Sequence, residues 1–311
     1  MNKPLERSEL RHLQAFFFLF GIGVMCLAPR LPDVKANLGV STTYFGFLMS
    51  TGSIGALTSM LTIGHIVHRV GVYKVLIISS TVTYLTIAVL IELSNPLFFL
   101  IINITCGYAW ASYHIAINAQ ALHRQTESGK PIIPMLHGLW SAGAVTTAFI
   151  ALLISSFVSL NWHILTLVLI VYLLTIRSIR ASKQVLLKGN EVNESDEVVT
   201  FKTLISSFRI DWVVTLGFLC ALMLEISIGD WATIMARQEF KVSKSLAVAP
   251  YFLFMGAMII GRFSYSRIKG DRSDKEIVQP FVITGGTIFL TSLALSMQIK
   301  ESNLFLGYTV F

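Results

Sequence analysis

Apolar residues run through this chain in long blocks separated by short polar ones. The blocks at 13–31, 45–63, 75–93, 97–116, 135–160, 164–176, 212–236, 246–261 and 277–299 carry almost no charge. A helix rising 1.5 Å per residue needs about 20 residues to cross a hydrocarbon core of about 30 Å. The pattern therefore predicts nine crossing helices, with a tenth that begins at Leu304 and runs into Phe311. Hydrocarbon offers no partner to a free N–H or C=O, so these blocks are expected as helices and the fold as an all-α integral membrane protein.

Composition agrees with that solvent. Only 13% of the residues are charged and the mean hydropathy is +0.69, against about 25% charged residues in a typical soluble domain. The first block follows a short basic stretch, but its apolar part is long and no small-residue cleavage site follows, so it reads as an uncleaved first span. Cys26, Cys106 and Cys220 all fall inside predicted spans, at spacings that suit neither a disulfide framework nor a zinc site.

A net charge of +7 raises the question of nucleic acid. Cytoplasmic loops of membrane proteins collect Lys and Arg. With the N-terminus in the cytoplasm, all of the 24 Lys and Arg fall on that side except Arg30, Lys35, Arg237, Lys241, Lys244 and Lys300. Orientation in a cell (inner) membrane, crossed many times, thus accounts for the charge, and no nucleic-acid partner is expected.

The longest polar stretch, 177–211, holds the acidic run Glu191, Glu194, Asp196 and Glu197 between basic flanks and follows the sixth span. It divides the chain into 1–180, a cytoplasmic connection at 181–210, and 211–311. The second part repeats the first at an offset of about 200 residues: Trp212 opens span seven as Leu13 opens span one, and the basic turn at Arg272 corresponds to that at Arg69. A complete repeat would extend roughly 70 residues beyond Phe311, so the reading expects a truncated second half.

The sharpest motif is Gly64-His-Ile-Val-His-Arg69-Val-Gly71-Val-Tyr-Lys74-Val-Leu76, between spans two and three. It resembles the loop signature of the major facilitator superfamily at Gly64, Ile66, Arg69, Gly71 and Leu76. His68 stands where that family usually has Asp, and Val72 and Tyr73 replace its basic pair. Glycines permit a sharp turn and close helix approach, and the Arg69 cation suits helix ends or acids of the opposite half. A plain tight turn with an orienting Arg is the alternative. Three further stretches resemble the fucose-permease-like branch of that family: Pro29-Arg-Leu-Pro-Asp33 with Leu38 and Ser41, His114-Ile-Ala-Ile-Asn118, and Met135-Leu-His137-Gly-Leu-Trp140-Ser-Ala-Gly143, together with 256–263. The resemblance implies two six-helix bundles, the second incomplete here, and proton-coupled sugar uptake. That branch commonly has Glu at the position of His114 and an acid in span one, both missing from this chain.

Ionisable groups within a membrane are costly and are functional candidates by default. Glu225 lies 13 residues after Trp212, about 20 Å along span seven. Facing a central cavity it could exchange a proton; a structural hydrogen bond to a neighbouring helix is the alternative. Asp230 lies nearer the outer surface and need not be buried. His114 titrates near neutral pH and shares a helix face with Asn118. Trp140 adds an aromatic platform, and such walls suit sugars. Glycines at 52, 55, 138, 143, 256 and 261 read as close helix approaches. His65 and His68 have no third ligand in sequence, so no metal is expected, and no nucleotide, zinc-hydrolase or nucleophile-elbow motif is present. The reading is a non-enzymatic secondary transporter of a small polar solute, a sugar or sugar-like compound, without cofactor, with protons and membrane lipids as its further partners. Efflux of drugs or metabolites, and a membrane sensor or scaffold that moves nothing, are the alternatives.

Overall fold

The computed structural model describes residues 7–129, 132–189, 211–270 and 272–311. The acidic run at 191–197, with Lys3, Lys130, Lys202 and Arg209, lies outside the described residues. Among those described the chain is all helix, with no strand. In order come α1 (Arg7–Met25), a 3-10 turn (Ala28–Arg30), α2 (Leu31–Leu38), α3 (Thr42–Ser50), α4 (Gly52–Val70) and α5 (Val72–Leu90). Then follow α6 (Pro96–Ser128), α7 (Ile133–Ile154), α8 (Leu160–Ala181), α9 (Trp212–Glu239), α10 (Ala249–Lys269), α11 (Asp274–Ile299) and α12 (Leu304–Val310).

Polar residues at the block edges set the helix ends. Ser41, Asn95, Ser159 and Asn303 each accept a hydrogen bond from a backbone N–H of the first turn, and Ser273 with Glu276 forms a capping box. At C-terminal ends Gly39 and Gly129 take φ of 63° and 66°, the left-handed cap conformation.

Seven stretches among the described residues are long and apolar enough to cross a membrane: Arg7–Leu38, Thr42–Val70, Val72–Leu90, Pro96–Ser128, Ile133–Ile154, Leu160–Ala181 and Lys275–Ile299. The expected spans at 212–236 and 246–261 are present as α9, of 28 residues, and within α10, of 21 residues. Length alone lets both cross.

Apolar side chains face outward as well as inward. Leu57, Met60, Leu169, Leu173, Val282 and Leu290 are all more than half exposed, the surface a lipid solvent calls for. Inside, Phe16, Phe20, Val67, Tyr113, Ile117 and Leu136 join α1, α4, α6 and α7 in one cluster. Leu19, Phe45, Leu48, Ile87, Phe99 and Ile164 form a second toward the other end. Ala144, Ala148 and Ala151 of α7 meet Val248, Tyr251 and Met255, tying the first six long helices to α10.

Two crossings depend on missing side chains. A Cβ on Gly55 of α4 would lie 1.9 Å from the Ile104 carbonyl of α6, and one on Gly107 2.0 Å from that of Gly52. On α1 and α7 the same holds for Gly21 against Trp140 and Gly143 against Phe18, at 2.0 and 2.2 Å. Gly138 instead receives the Phe263 ring, while Gly256 and Gly261 have nothing within 4 Å. For those last two the expected close approach is corrected: no described neighbour sits there. Gly55→Leu is therefore expected to cost about 1–3 kcal/mol through overpacking, read as a lower thermal midpoint in detergent. Gly64→Ala, into open space on the same helix, should leave that midpoint unchanged or raised; equal losses in both variants would refute the close-crossing account.

Candidate functional site

The turn at Gly71 comes first because the motif centres on it. Gly71 adopts φ 82° and accepts the chain that follows α8: the Val72 N–H donates to the Leu187 carbonyl at 3.0 Å, and Gly189 lies against the Arg69 carbonyl. Gln120 of α6 clamps the same stretch, donating to the Val185 carbonyl at 3.1 Å and accepting from the Leu187 N–H at 2.8 Å. The motif thus grips the segment after α8. Arg69 itself is exposed and pairs with no described acid, and Gly64 faces open space. The expected docking of Arg69 on the opposite half is absent among the described residues.

At the other end of the bundle a polar clasp joins residues from both sides of the connection. Arg30, 1% exposed, donates from Nε to Asp33 at 2.7 Å, from both terminal nitrogens to the Val158 carbonyl, and to His163 Nδ1 at 3.2 Å. A guanidinium only donates, so Nδ1 accepts and the His163 proton sits on Nε2. The second oxygen of Asp33 takes Lys244 Nζ at 2.5 Å. Ser245 and Ser156 exchange backbone-to-hydroxyl bonds at 3.1 and 3.2 Å, and Thr42 bonds Gln238. Trp231 packs on Phe45 and Gly46.

Below the clasp lies a cavity of about 300 Å³. Its wall includes Met25, Leu27, Leu31, Met49, Ser53, Thr83, Ile87, Asn103, Cys106 and Trp110, and from α9 Asp230. Asn103 is occupied, donating to the Leu48 and Met49 carbonyls at 3.0 and 3.1 Å. Asp230 has no hydrogen bond or ion pair with a described residue, and the Thr83 hydroxyl and Trp110 indole N–H are buried without partners.

Trp110 connects the cavity to the expected site. His114 stacks on Trp110 and Phe20, with centroids 5.8 and 5.6 Å apart, and meets His137 edge-on at 6.1 Å. Asn118 donates to the His114 carbonyl on its own helix at 2.8 Å. Trp140 packs between the α1 and α10 clusters. Glu225 is half-buried on α9, near enough to Tyr251 to act on it electrostatically, as is Asp230. None of His114, Asn118, Trp140 and Glu225 lines the cavity. The acid that does is Asp230. Sequence reasoning placed it five residues beyond Glu225, nearer the outer surface and with no need to be buried; the structure sets it, partly buried, in the cavity wall. The Arg30–Asp33 clasp was visible only as part of a resemblance.

Residues 15–311 match the Major Facilitator Superfamily. An uncharacterized MFS-type transporter of Yersinia pestis is 27% identical over 274 residues, 88% of this chain and 67% of that protein. The uncharacterized transporter y4wD of Sinorhizobium fredii is 29% identical over 139 residues, 44% of this chain and 37% of that one. The crystal structure of a mutant of the nucleoside transporter NupG superposes with a TM-score of 0.61 at 13% identity, over 92% of this chain and 71% of that chain. At that identity the likeness is one of fold.

Asp33 serves both Arg30 and Lys244, so Asp33→Asn removes two charge-assisted bonds, the buried one to Arg30 worth about 1.5–3 kcal/mol and the more exposed one to Lys244 about 0–1 kcal/mol. In a variant whose one remaining cysteine is Cys106, it should speed labelling by a small water-soluble thiol reagent about tenfold or more. An unchanged rate would show that the clasp does not close this end.

Proposed function

This chain belongs to the Major Facilitator Superfamily, and on that premise we propose that it is a secondary transporter carrying a small polar solute by alternating access. One observation carries the reading. The cavity of about 300 Å³ is walled by α1, α4, α5 and α6 on one side and α9 on the other, and the Asp33 clasp spans the same divide. A site held between two bundles opens to one side at a time when they rock about it.

In this reading 1–180 form the first six-helix bundle, 181–210 the cytoplasmic connection, and 211–311 spans seven to nine with the start of a tenth. The N-terminus lies on the cytoplasmic side of a cell (inner) membrane, a reading that the Lys and Arg distribution supports, and the clasp closes the outer side. Asp230, Glu225 and His114 are the groups to test for a coupled proton. Sugars, from the branch resemblance, and nucleosides, which the structural neighbour carries by name, are the first neutral solutes to test. Extrusion is the second reading, favoured by the apolar share of the wall at Val24, Leu27, Leu31, Ile87 and Leu90.

Alternating access requires the clasp to part. With Ser156→Cys and Ser245→Cys combined, oxidation should form a disulfide across the clasp and stop solute movement in proteoliposomes, and reduction should restore it. Undiminished transport by the oxidised protein would exclude alternating access at this divide. No movement of any solute by the unmodified protein would overturn the transport reading.

A further inference from the structure

We propose that the cavity is a site for a small monovalent organic cation, with the Asp230 carboxylate as its counter-charge. The inference rests on the transport reading for its place and adds the charge of the solute. On the α9 side of the cavity the Asp230 carboxylate has no hydrogen bond or ion pair with a described residue. A charge held away from water is costly without a partner, so a carboxylate left uncompensated on a cavity wall marks a place where a bound group supplies the counter-charge.

Charge decides which ligand. No described Lys, Arg or His lines the cavity, and the nearest basic residues of the clasp, Arg30 and Lys244, are both held by Asp33. An anion would meet only repulsion. A neutral polyol would hydrogen-bond the carboxylate but leave its neutralisation to a proton. An ammonium cancels that charge, and the lining includes an aromatic residue, Trp110, of the kind that attracts cations. Met25 and Met49 supply polarizable thioethers, and Leu27 and Leu31 the surface for N-alkyl groups. The volume is at the small end of ligand cavities, which suits ions the size of choline or tetraethylammonium.

A proton also neutralises Asp230, and one carboxylate accepts either charge but not both. Cation binding to the protonated site therefore releases one proton: the O–H bond breaks, its electron pair stays on the carboxylate, and the proton leaves to water. The titratable groups around Asp230 are Tyr251 on α10, Cys26 after α1, Cys106 on α6 and Glu225 on its own helix. Arg30, Asp33 and Lys244 lie toward the clasp and are paired with one another.

The test is equilibrium binding of choline and tetraethylammonium to the purified full chain in detergent, with 3,3-dimethylbutan-1-ol as the neutral isostere of choline. Expected are saturable cation binding at least about tenfold tighter than the isostere, weakening as pH falls through the titration of Asp230, and proton release into a lightly buffered medium. Asp230→Asn should weaken cation binding at least about tenfold and abolish the proton release. The pH series on the unsubstituted protein keeps the test valid if that variant fails to fold. Cations binding no better than the isostere, or binding indifferent to pH, would overturn the proposal. Transport of a pentose or nucleoside without cation binding would overturn it while leaving the transport reading intact. A cation that binds and releases a proton but is never carried would do the reverse.

Discussion

Hydrocarbon cannot solvate a peptide group or a charge, and every feature of this protein answers to that constraint. It makes each apolar block a helix, because only a helix pairs its backbone within one segment. It also turns side-chain hydroxyls back on their own helices: Ser79 and Ser80 donate to the Val75 and Leu76 carbonyls at 2.6 Å, and Thr86 to Val82 at 2.8 Å. Since lipid is as apolar as leucine, burying leucine brings no helices together. Close packing at Gly55 and Gly107, Gly21 and Gly143 supplies the contact instead.

The same constraint separates structural charge from functional charge. Arg30 and Arg124 are both buried. Arg30 spends its donors on Asp33, Val158 and His163, and Arg124 is paired with Glu9 and Glu127. These groups hold parts of the molecule in place, the first joining the α7–α8 turn to α2 and, through Asp33, to Lys244. Removing one partner leaves an uncompensated buried charge, so such sets resist piecemeal change. Asp230, on the cavity wall, has no such set among the described residues.

A second contrast lies between the two ends of the bundle. At the clasp, contacts cross the divide: Asp33 to Lys244, Ser156 to Ser245, Thr42 to Gln238. At the Gly71 turn, the motif and Gln120 bind the start of the connection directly after α8, and Arg69 is exposed. One end is joined across the halves while the loop motif at the other is engaged on its own side. This is the asymmetry expected of a carrier closed toward the clasp.

What the sequence by itself determined was everything that depends on solvent and on local spacing. The apolar blocks declared the membrane, and Gly71 marked the turn. The family was legible in the loop motif. The glycines were legible as candidates, but Gly143 packs and Gly256 does not, because a gap in one helix means nothing until another helix is set against it. Only the tertiary structure chose the cavity wall. His114, Asn118, Trp140 and Glu225 are polar at sensible depths, yet Asp230, Thr83 and Trp110 face the empty volume. Depth along a helix follows from counting residues at 1.5 Å each. The direction a side chain faces, and whether it finds a partner there, depends on how α2, α3, α9 and α10 pack, and that involves residues some 200 positions apart in the chain.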